Sequence, residues 1–326
     1  RMPDADNGLV FAYALDGKGG GIPLDWTGVR NWSPDQGMLW AHFDYTRPET
    51  TEWITKSGQF SELAVESLLA GETRPRSAAY DDGQLLILRG VNMNPGADPE
   101  DMVSIRLWID NHRVISTRRR HLLAAQDLRS AIEKSKGPKT TGELATTLAD
   151  LLTDRMSQII TDIDEQVDDM EEELLTMESH LLRSQLAQVR REAIALRRYL
   201  APQREAMSRL VNERASWLTE LDRLKLREIG DRTTRYIEDL DAVRERAVVI
   251  QEELLGRLSE QMNKRMFVLS IVAAVFLPLG FLTGLLGINV GGIPGADYKA
   301  AFYVFIIFLI GIVAIQLWFF RKQKWI

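Results

Sequence analysis

Residues 266–286 read MFVLSIVAAVFLPLGFLTGLL and residues 301–320 read AFYVFIIFLIGIVAIQLWFF, and neither stretch contains a charged side chain. The hydrocarbon core of a bilayer is about 30 Å thick, which a helix of roughly 20 apolar residues spans. Neither stretch shows the polar stripe of an amphipathic helix in a soluble domain. The sequence therefore predicts a transmembrane domain over 266–326, with two spans joined by a short loop, 287–300, and an extramembrane part before them.

The charges around the two spans predict their orientation. Basic residues flank the spans on the side away from the loop, namely Lys264, Arg265, Arg321, Lys322 and Lys324. Because basic flanks stay in the cytoplasm, we expect both termini to be cytoplasmic and the loop to lie outside. The net charge of −6 and the pI of about 5.5 are not those of a nucleic-acid-binding protein, and the absence of cysteine excludes disulfides and thiolate metal sites.

The first part of the chain alternates between strand and helix patterns. Apolar and β-branched runs bounded by Gly, Asp and Asn turns predict strands at 10–16, 38–45, 84–92, 103–110 and 112–117. Helical patterns lie between them at 61–70 and 121–134, and a linker follows at 135–138. We therefore predict an α+β (α/β) cytoplasmic domain over residues 1–137.

From Thr141 the pattern becomes almost entirely helical. Apolar residues recur at 3–4 spacing from Leu144 to Leu174, a second helix is expected over 181–212 with a kink at Pro202, and a third runs from about Leu218 to Gly287. The third helix would be roughly 100 Å long at 1.5 Å per residue. A single helix of that length cannot bury its own apolar stripe. We expect residues 138–265 to form a stalk of long antiparallel helices that associates with further copies of the chain.

The order of these parts resembles the CorA superfamily of divalent-cation transporters over nearly the whole chain. The Gly287-Ile288-Asn289 turn is similar to the Gly-Met-Asn motif of the magnesium-transporting branch, and the Gly-Gly-Ile-Pro-Gly run that follows looks like the ZntB branch of zinc transporters. Gly280 departs from the family, which often has Ser or Thr at that position. The resemblance implies a homopentameric funnel in the bacterial inner membrane, in contact with lipid, with Zn²⁺ as the transported ion and no further cofactor or enzymatic activity. It also implies that the first span lines one central pore and the second lies outside it.

One face of the first span has the character of a pore lining. Residues within about 40° of one line on the helix are Met266, Leu269, Ala273, Leu277, Gly280, Gly284 and Gly287. Rings of Met266, Leu269 and Leu277 would gate a lumen by dewetting. The alternative is a packing face, since Gly280 and Gly284 form a small-xxx-small contact for close helix approach.

Asn289 is the candidate for ion recognition at the pore entrance formed with Gly287 and Ile288. A ring of its amide oxygens would accept hydrogen bonds from the waters of a hydrated dication. The alternative is a helix C-cap, where Gly and Asn tolerate the left-handed conformation, and both roles are compatible. Because neither span contains His, Asp or Glu, we identify no residue that would bind a dehydrated metal ion and expect the ion to pass hydrated.

Acidic residues are candidates for collecting cations. Asp297 lies in the loop between the spans, and further acids lie near the end of the first long helix: Asp162, Asp164, Glu165, Asp168 and Asp169. They are interpreted either as a cation-collecting collar or as a solvated helix face. Basic residues of the second helix, such as Arg190 and Arg197, are their expected ion-pair partners.

Three functional interpretations remain open at this point. The leading one is a Zn²⁺ transporter, working as uptake and with proton coupling as an open possibility. The others are a Mg²⁺/Co²⁺/Ni²⁺ channel and a membrane-anchored coiled-coil scaffold or sensor without ion flux. No ATP-binding GxxxxGK[ST] signature is present, so energy must come from the membrane potential or from an ion or proton gradient.

Overall fold

A computed structural model of the protein describes residues 7–80, 83–174, 179–287, 292–293, 295 and 297–322. The chain divides into two compact units, Arg1–Gln251 and Glu252–Ile326. The domain boundaries expected at residues 137 and 265 stay predictions.

The first unit contains a seven-stranded mixed sheet in the order β2-β1-β3-β7-β6-β5-β4. Its strands are β1 (Leu9–Leu15), β2 (Gly21–Leu24), β3 (Met38–Asp44), β4 (Arg76–Tyr80), β5 (Gly83–Gly90), β6 (Val103–Ile109) and β7 (Arg113–Arg118). Strands β3 and β7 pair in parallel, from Leu39 with Arg113 to Asp44 with Arg118, and the other described pairs are antiparallel. The five predicted strands are confirmed as β1, β3, β5, β6 and β7. The sheet edges β2 and β4 were missed.

Three short helices cover one face of the sheet: α1 (Trp26–Arg30), α2 (Pro48–Lys56) and α3 (Glu62–Leu69). The hydroxyl of Ser61 caps α3 by accepting a hydrogen bond from the amide of Ala64 at 3.4 Å. Ile54 and Leu68 are fully buried against Phe43 and Ile87 of the sheet. This face therefore forms one of the two cores of the unit.

The opposite face of the sheet packs against α4 (Leu123–Glu133) and the long helices. Helix α5 (Thr141–Glu173) is capped by Thr140, whose hydroxyl accepts from the amide of Glu143. The Glu143 carboxylate in turn accepts from the amide of Lys139, one residue before the N-cap. Leu152 and Met207 belong to the core on this face. The predicted helices are confirmed at nearly the expected positions.

Helix α6 (Ser179–Asn212) contains Pro202 and continues through it. The next residue, Gln203, is fully buried and accepts a hydrogen bond from the amide of Arg89 in β5 at 2.7 Å. This contact fixes α6 against the end of β5.

Helix α7 (Glu220–Gly287) is 68 residues long and is the predicted long helix. In the second unit its apolar part is accompanied by α8 (Ala301–Lys322). By length and composition, α7 and α8 can each cross a membrane, with mean hydropathy of 2.4 and 2.5 in their most apolar windows.

Candidate functional site

The predicted pore entrance lies at the end of α7. Gly287 is the last residue of that helix, whereas Ile288 and Asn289 lie outside the described residues. Asp297, the predicted acid of the loop, is exposed.

The predicted pore-facing residues all lie on α7. Met266, Leu269 and Leu277 have exposed fractions of 62%, 69% and 71%, and Gly280 and Gly284 are exposed, while Ala273 is half-buried. Such a face of large apolar side chains is stable only when lipid or another protein chain covers it.

The opposite face of α7 packs against α8. Its half-buried residues include Ile271, Ala274, Val275, Leu279 and Leu282. At 100° per residue, the centre of this group lies about 180° from the centre of the predicted pore face. The residues of α8 that are at least half-buried also recur at 3–4 spacing: Ala301, Phe305, Leu309, Ile312, Val313, Gln316 and Phe320. Helix α8 thus leaves the predicted pore face of α7 uncovered.

A proline and a glutamine determine how the two spans meet. Pro278 has no amide hydrogen, so the carbonyl of Ala274, four residues earlier, loses its partner within α7. The side-chain nitrogen Nε2 of Gln316 in α8 donates a hydrogen bond to that carbonyl at 3.2 Å. A neighbouring helix therefore satisfies the backbone group that the proline leaves open, as required inside a bilayer.

Gln316 is not among the predicted site residues, although two signals in the sequence point to it. It is the sole amide side chain in residues 301–320, and Pro278 announces a free carbonyl in the facing span. Polar side chains within spans are costly and therefore usually have a specific partner.

The hydroxyl groups in the first span are occupied by their own helix. Ser270 Oγ donates to the carbonyl of Met266 at 2.8 Å, and Thr283 Oγ1 donates to that of Leu279 at 2.9 Å. Residues 266–287 contain no carboxylate, imidazole or thiol. This segment has no side chain of the kinds that bind Zn²⁺ directly.

The acids of α5 are partly committed to an arginine of α7. Arg246 contacts Asp164 at 2.9 Å, Glu171 at 3.0 Å and also Asp168. The hydrogen bonds that Arg246 donates to Glu171 and Asp168 raise the pKa of Arg246, so its charge is permanent.

The expected pairing of these acids with the basic residues of α6 is therefore wrong for Asp164 and Asp168. Arg190 instead donates to Gln251 at 2.9 Å, and Arg197 contacts Asp241 at 2.8 Å. The physical reason is that α5 buries its apolar stripe, and the acids flanking that stripe lie within reach of α7. Asp162, Glu165 and Asp169 are exposed, and among the described residues no ion pair involves them.

No group of three or more His, Asp or Glu side chains suited to a metal ion occurs in the described parts of the chain. Of the histidines, His42 is buried and stacks on Phe11, and His112 is exposed.

Comparison with known proteins gives the chain its family. The family model described as "CorA-like Mg2+ transporter protein" matches residues 35–322. The chain is 43% identical to the divalent cation transporter CmaX of Pseudomonas aeruginosa, over 98% of both chains. It is 39% identical to the zinc transport protein ZntB of Pectobacterium carotovorum subsp. carotovorum, over 98% of this chain and 97% of that one.

Solved structures have the same fold. The structure of full-length CmaX matches with a TM-score of 0.84 at 42% identity, covering 98% of both chains. The CorA magnesium transporter of Methanocaldococcus jannaschii matches with a TM-score of 0.81 at 18% identity, covering 97% of this chain and 98% of that one, which shows likeness of fold alone. The chain thus belongs to the CorA-like Mg²⁺ transporter family, a family of two-span membrane transporters for divalent cations rather than enzymes.

Proposed function

We propose that this protein takes up hydrated Zn²⁺ across the bacterial inner membrane, through a pore lined by the first span of several copies of the chain. The observation that carries the proposal is the chemistry of residues 266–287. They offer no ligand that would replace the water shell of Zn²⁺, and their two hydroxyls bond to their own helix. An ion that keeps its waters needs a path wide enough for its hydration shell rather than a coordinating cage.

The uncovered face of α7 supplies such a path. Leu277 and Leu269 project apolar side chains that α8 leaves exposed, and Gly280 and Gly284 provide room on the same side. Arranged around an axis, these residues form a lumen that is closed to ions when its apolar rings dewet. Resemblance to the family supports five copies around that axis.

Recognition of the ion is assigned to the Gly287-Ile288-Asn289 turn that follows the helix. Amide oxygens of Asn289 from several copies would accept hydrogen bonds from the inner water shell, which distinguishes dications by charge and hydrated size. Asp297 adds a negative charge to the same loop.

Uptake follows from the sign of the membrane potential. A dication entering an inside-negative cell gains about 4.6 kcal/mol per 100 mV, twice the value for one charge. No Asp, Glu or His in either span is available to carry a proton, so we propose potential-driven uptake, with proton coupling as the alternative.

Flux into liposomes tests the proposal. The full-length protein is reconstituted with an enclosed Zn²⁺-sensitive dye, and uptake is measured with an inside-negative potential, with and without a proton gradient. We expect Zn²⁺ entry that follows the potential, and that Asn289→Ala abolishes it while native mass spectrometry shows the assembly, a pentamer, unchanged. Absence of flux in the wild type favours the scaffold interpretation, and unchanged flux in Asn289→Ala removes the assigned entrance.

A second candidate is a Mg²⁺ channel, which the description of the matching family model favours. Competition in the same liposomes separates the two. If a modest excess of Mg²⁺ inhibits Zn²⁺ entry and Mg²⁺ enters instead, the principal transported ion is Mg²⁺ rather than Zn²⁺.

A further inference from the structure

A large polar cleft opens at one edge of the sheet in the first unit. Its volume is about 860 Å³, within the range of small-molecule sites. Tyr45 follows β3 and Arg119 follows β7, so the cleft lies at the carboxyl ends of the two parallel strands. Ligands of open α/β sheets commonly bind outside this end of the strands.

The cleft is strongly basic although the chain is acidic. Its lining includes five arginines, Arg74, Arg89, Arg119, Arg120 and Arg198, against two acids, Glu72 and Asp101. Arg120 and Asp101 form an ion pair at 2.5 Å. Arg74 and Arg119 are exposed, and no ion pair involves either of them within the described parts of the chain.

Two buried guanidinium groups strengthen the positive field. Arg89 is 9% exposed and donates to carbonyl oxygens, to that of Met102 at 2.7 Å and that of Thr73 at 2.8 Å. Arg106 is fully buried behind the wall, where Nη2 lies 3.5 Å from the Tyr45 hydroxyl. Neither Nε nor Nη1 of Arg106 has a hydrogen-bond partner among the described residues. Burial lowers the pKa of both arginines, and their positive neighbours lower it further.

Tyr199 fixes the geometry on the α6 side. The guanidinium of Arg89 lies 4.1 Å from the centre of its ring, and that of Arg198 lies 4.8 Å from it. Arg89 already donates to Thr73 and Met102, and Nη2 of Arg198 donates to the Tyr199 hydroxyl at 2.7 Å, so a ligand can use their remaining in-plane N–H groups. Guanidinium groups present paired donors that match phosphate oxygens.

We propose that this cleft binds a phosphoanhydride anion, the chemistry shared by pyrophosphate and the tail of a nucleoside triphosphate. The lining carries three more positive than negative side chains. An anion of three to four charges would offset the mutual repulsion of these arginines, whereas a single carboxylate or phosphate would leave much of it. The volume accommodates a nucleotide as well as pyrophosphate.

Calorimetric titration of the full-length protein in detergent, without divalent cations, tests the site. The probes are pyrophosphate, inorganic phosphate and ATP. We expect saturable binding of pyrophosphate, weaker binding of phosphate, and weakening of pyrophosphate binding by added NaCl. ATP binding at least as tightly as pyrophosphate supports a nucleotide as the source, and weaker ATP binding supports an inorganic one.

Arg74→Gln combined with Arg119→Gln should weaken pyrophosphate binding at least about tenfold, since two charge-assisted contacts are lost. Both side chains are exposed and outside the core, so the fold is retained, which the thermal midpoint verifies. The matched control is Arg183→Gln, an exposed arginine of α6 outside the cleft, which should leave binding unchanged. The proposed site is refuted if pyrophosphate shows no saturable binding up to about 1 mM, or if the double variant binds pyrophosphate as tightly as the wild type. The measurement does not involve transport, so its failure leaves the proposed function standing.

Discussion

The side-chain amide of Gln316 in α8 donates a hydrogen bond of 3.2 Å to the carbonyl of Ala274 in α7. That carbonyl is available because Pro278, four residues later, has no amide hydrogen to donate. The bond joins the second span to the first at the level of the proline. Ala274 lies about 60° from Leu277 around the helix, so the bond holds α7 at the flank of its proposed pore face.

The first prediction is a coupling between Gln316 and Pro278. Gln316→Leu leaves the Ala274 carbonyl without a partner in an apolar environment and should destabilise the protein by about 1 kcal/mol, the usual size of such bonds in membranes. In a Pro278→Ala background the new amide hydrogen supplies the partner, so the same change should cost much less. Thermal unfolding of the four proteins in one detergent measures the coupling. Ile315→Leu, at an exposed neighbour, is the control, and an equal cost in both backgrounds would refute the coupling.

The second prediction distinguishes a side chain that faces the pore from one of similar size that faces lipid. Leu277 and Ile307 are equally exposed in a single chain, at 71% and 70%. If Leu277 forms an apolar ring, Leu277→Ser admits water to the constriction and raises Zn²⁺ flux into liposomes several-fold. Ile307→Ser, on the outer side of α8, should leave flux unchanged. The same flux change in both variants would mean that Leu277 faces lipid.

Much of the fold is predictable because its signals are local. Strands such as β5 and β6 are runs of apolar residues, and the 3–4 spacing of α5 extends over 33 residues. The edge strands β2 (GIPL) and β4 (RSAAY) are short and bury little, so their formation depends on pairing with β1 and β5. Such pairing is a tertiary effect that a local pattern does not contain.

The contacts around the candidate site are less predictable because they join distant positions. Gln316 and Ala274 are 42 residues apart, and Arg246 and Asp164 are 82 apart. The sequence places each residue on a helix face. The register between two helices, which determines the partner, depends on how their apolar stripes interlock.

The third prediction concerns the three carboxylates around Arg246. Removing the arginine leaves Asp164, Asp168 and Glu171 to repel one another, so Arg246→Gln should destabilise the protein by about 1 kcal/mol. The effect is modest because the carboxylates are about half exposed, at 51%, 58% and 47%. Adding salt should reduce it, and adding Asp164→Asn with Asp168→Asn should restore most of the stability. Thermal midpoints at low and high salt measure these effects.

The control for this prediction is Arg235→Gln, at an exposed arginine of the same helix. An equal loss of stability in Arg235→Gln would show that the three carboxylates are not responsible.

The fourth prediction is a pH dependence of stability that originates at His42. Its Nδ1 lies 2.8 Å from the hydroxyl of Ser116, which itself donates to the carbonyl of Ala41. The hydroxyl therefore accepts from Nδ1–H, and Nε2 is left buried without a partner among the described residues. Burial lowers the pKa of His42 well below 6.5, and the charges of Arg118 and His121 lower it further.

The sign of the effect follows from proton binding in the two states. Below pH 6.5 the unfolded chain protonates this histidine and the folded protein does not, so stability falls as the pH falls. The slope reaches about 1.4 kcal/mol per pH unit, or a few degrees in thermal midpoint. The raised pKa values of Glu192 and Asp239 have the opposite effect, because they make the folded protein more stable as the pH falls. The contribution of His42 is therefore measured as the difference between the wild type and a variant. When the pH is lowered from 7.5 to 5.5, the thermal midpoint of His42→Gln should fall less than that of the wild type. The thermal midpoint of His112→Gln, at an exposed histidine, should fall as much as that of the wild type. Parallel curves for all three proteins would mean that His42 protonates in the folded state.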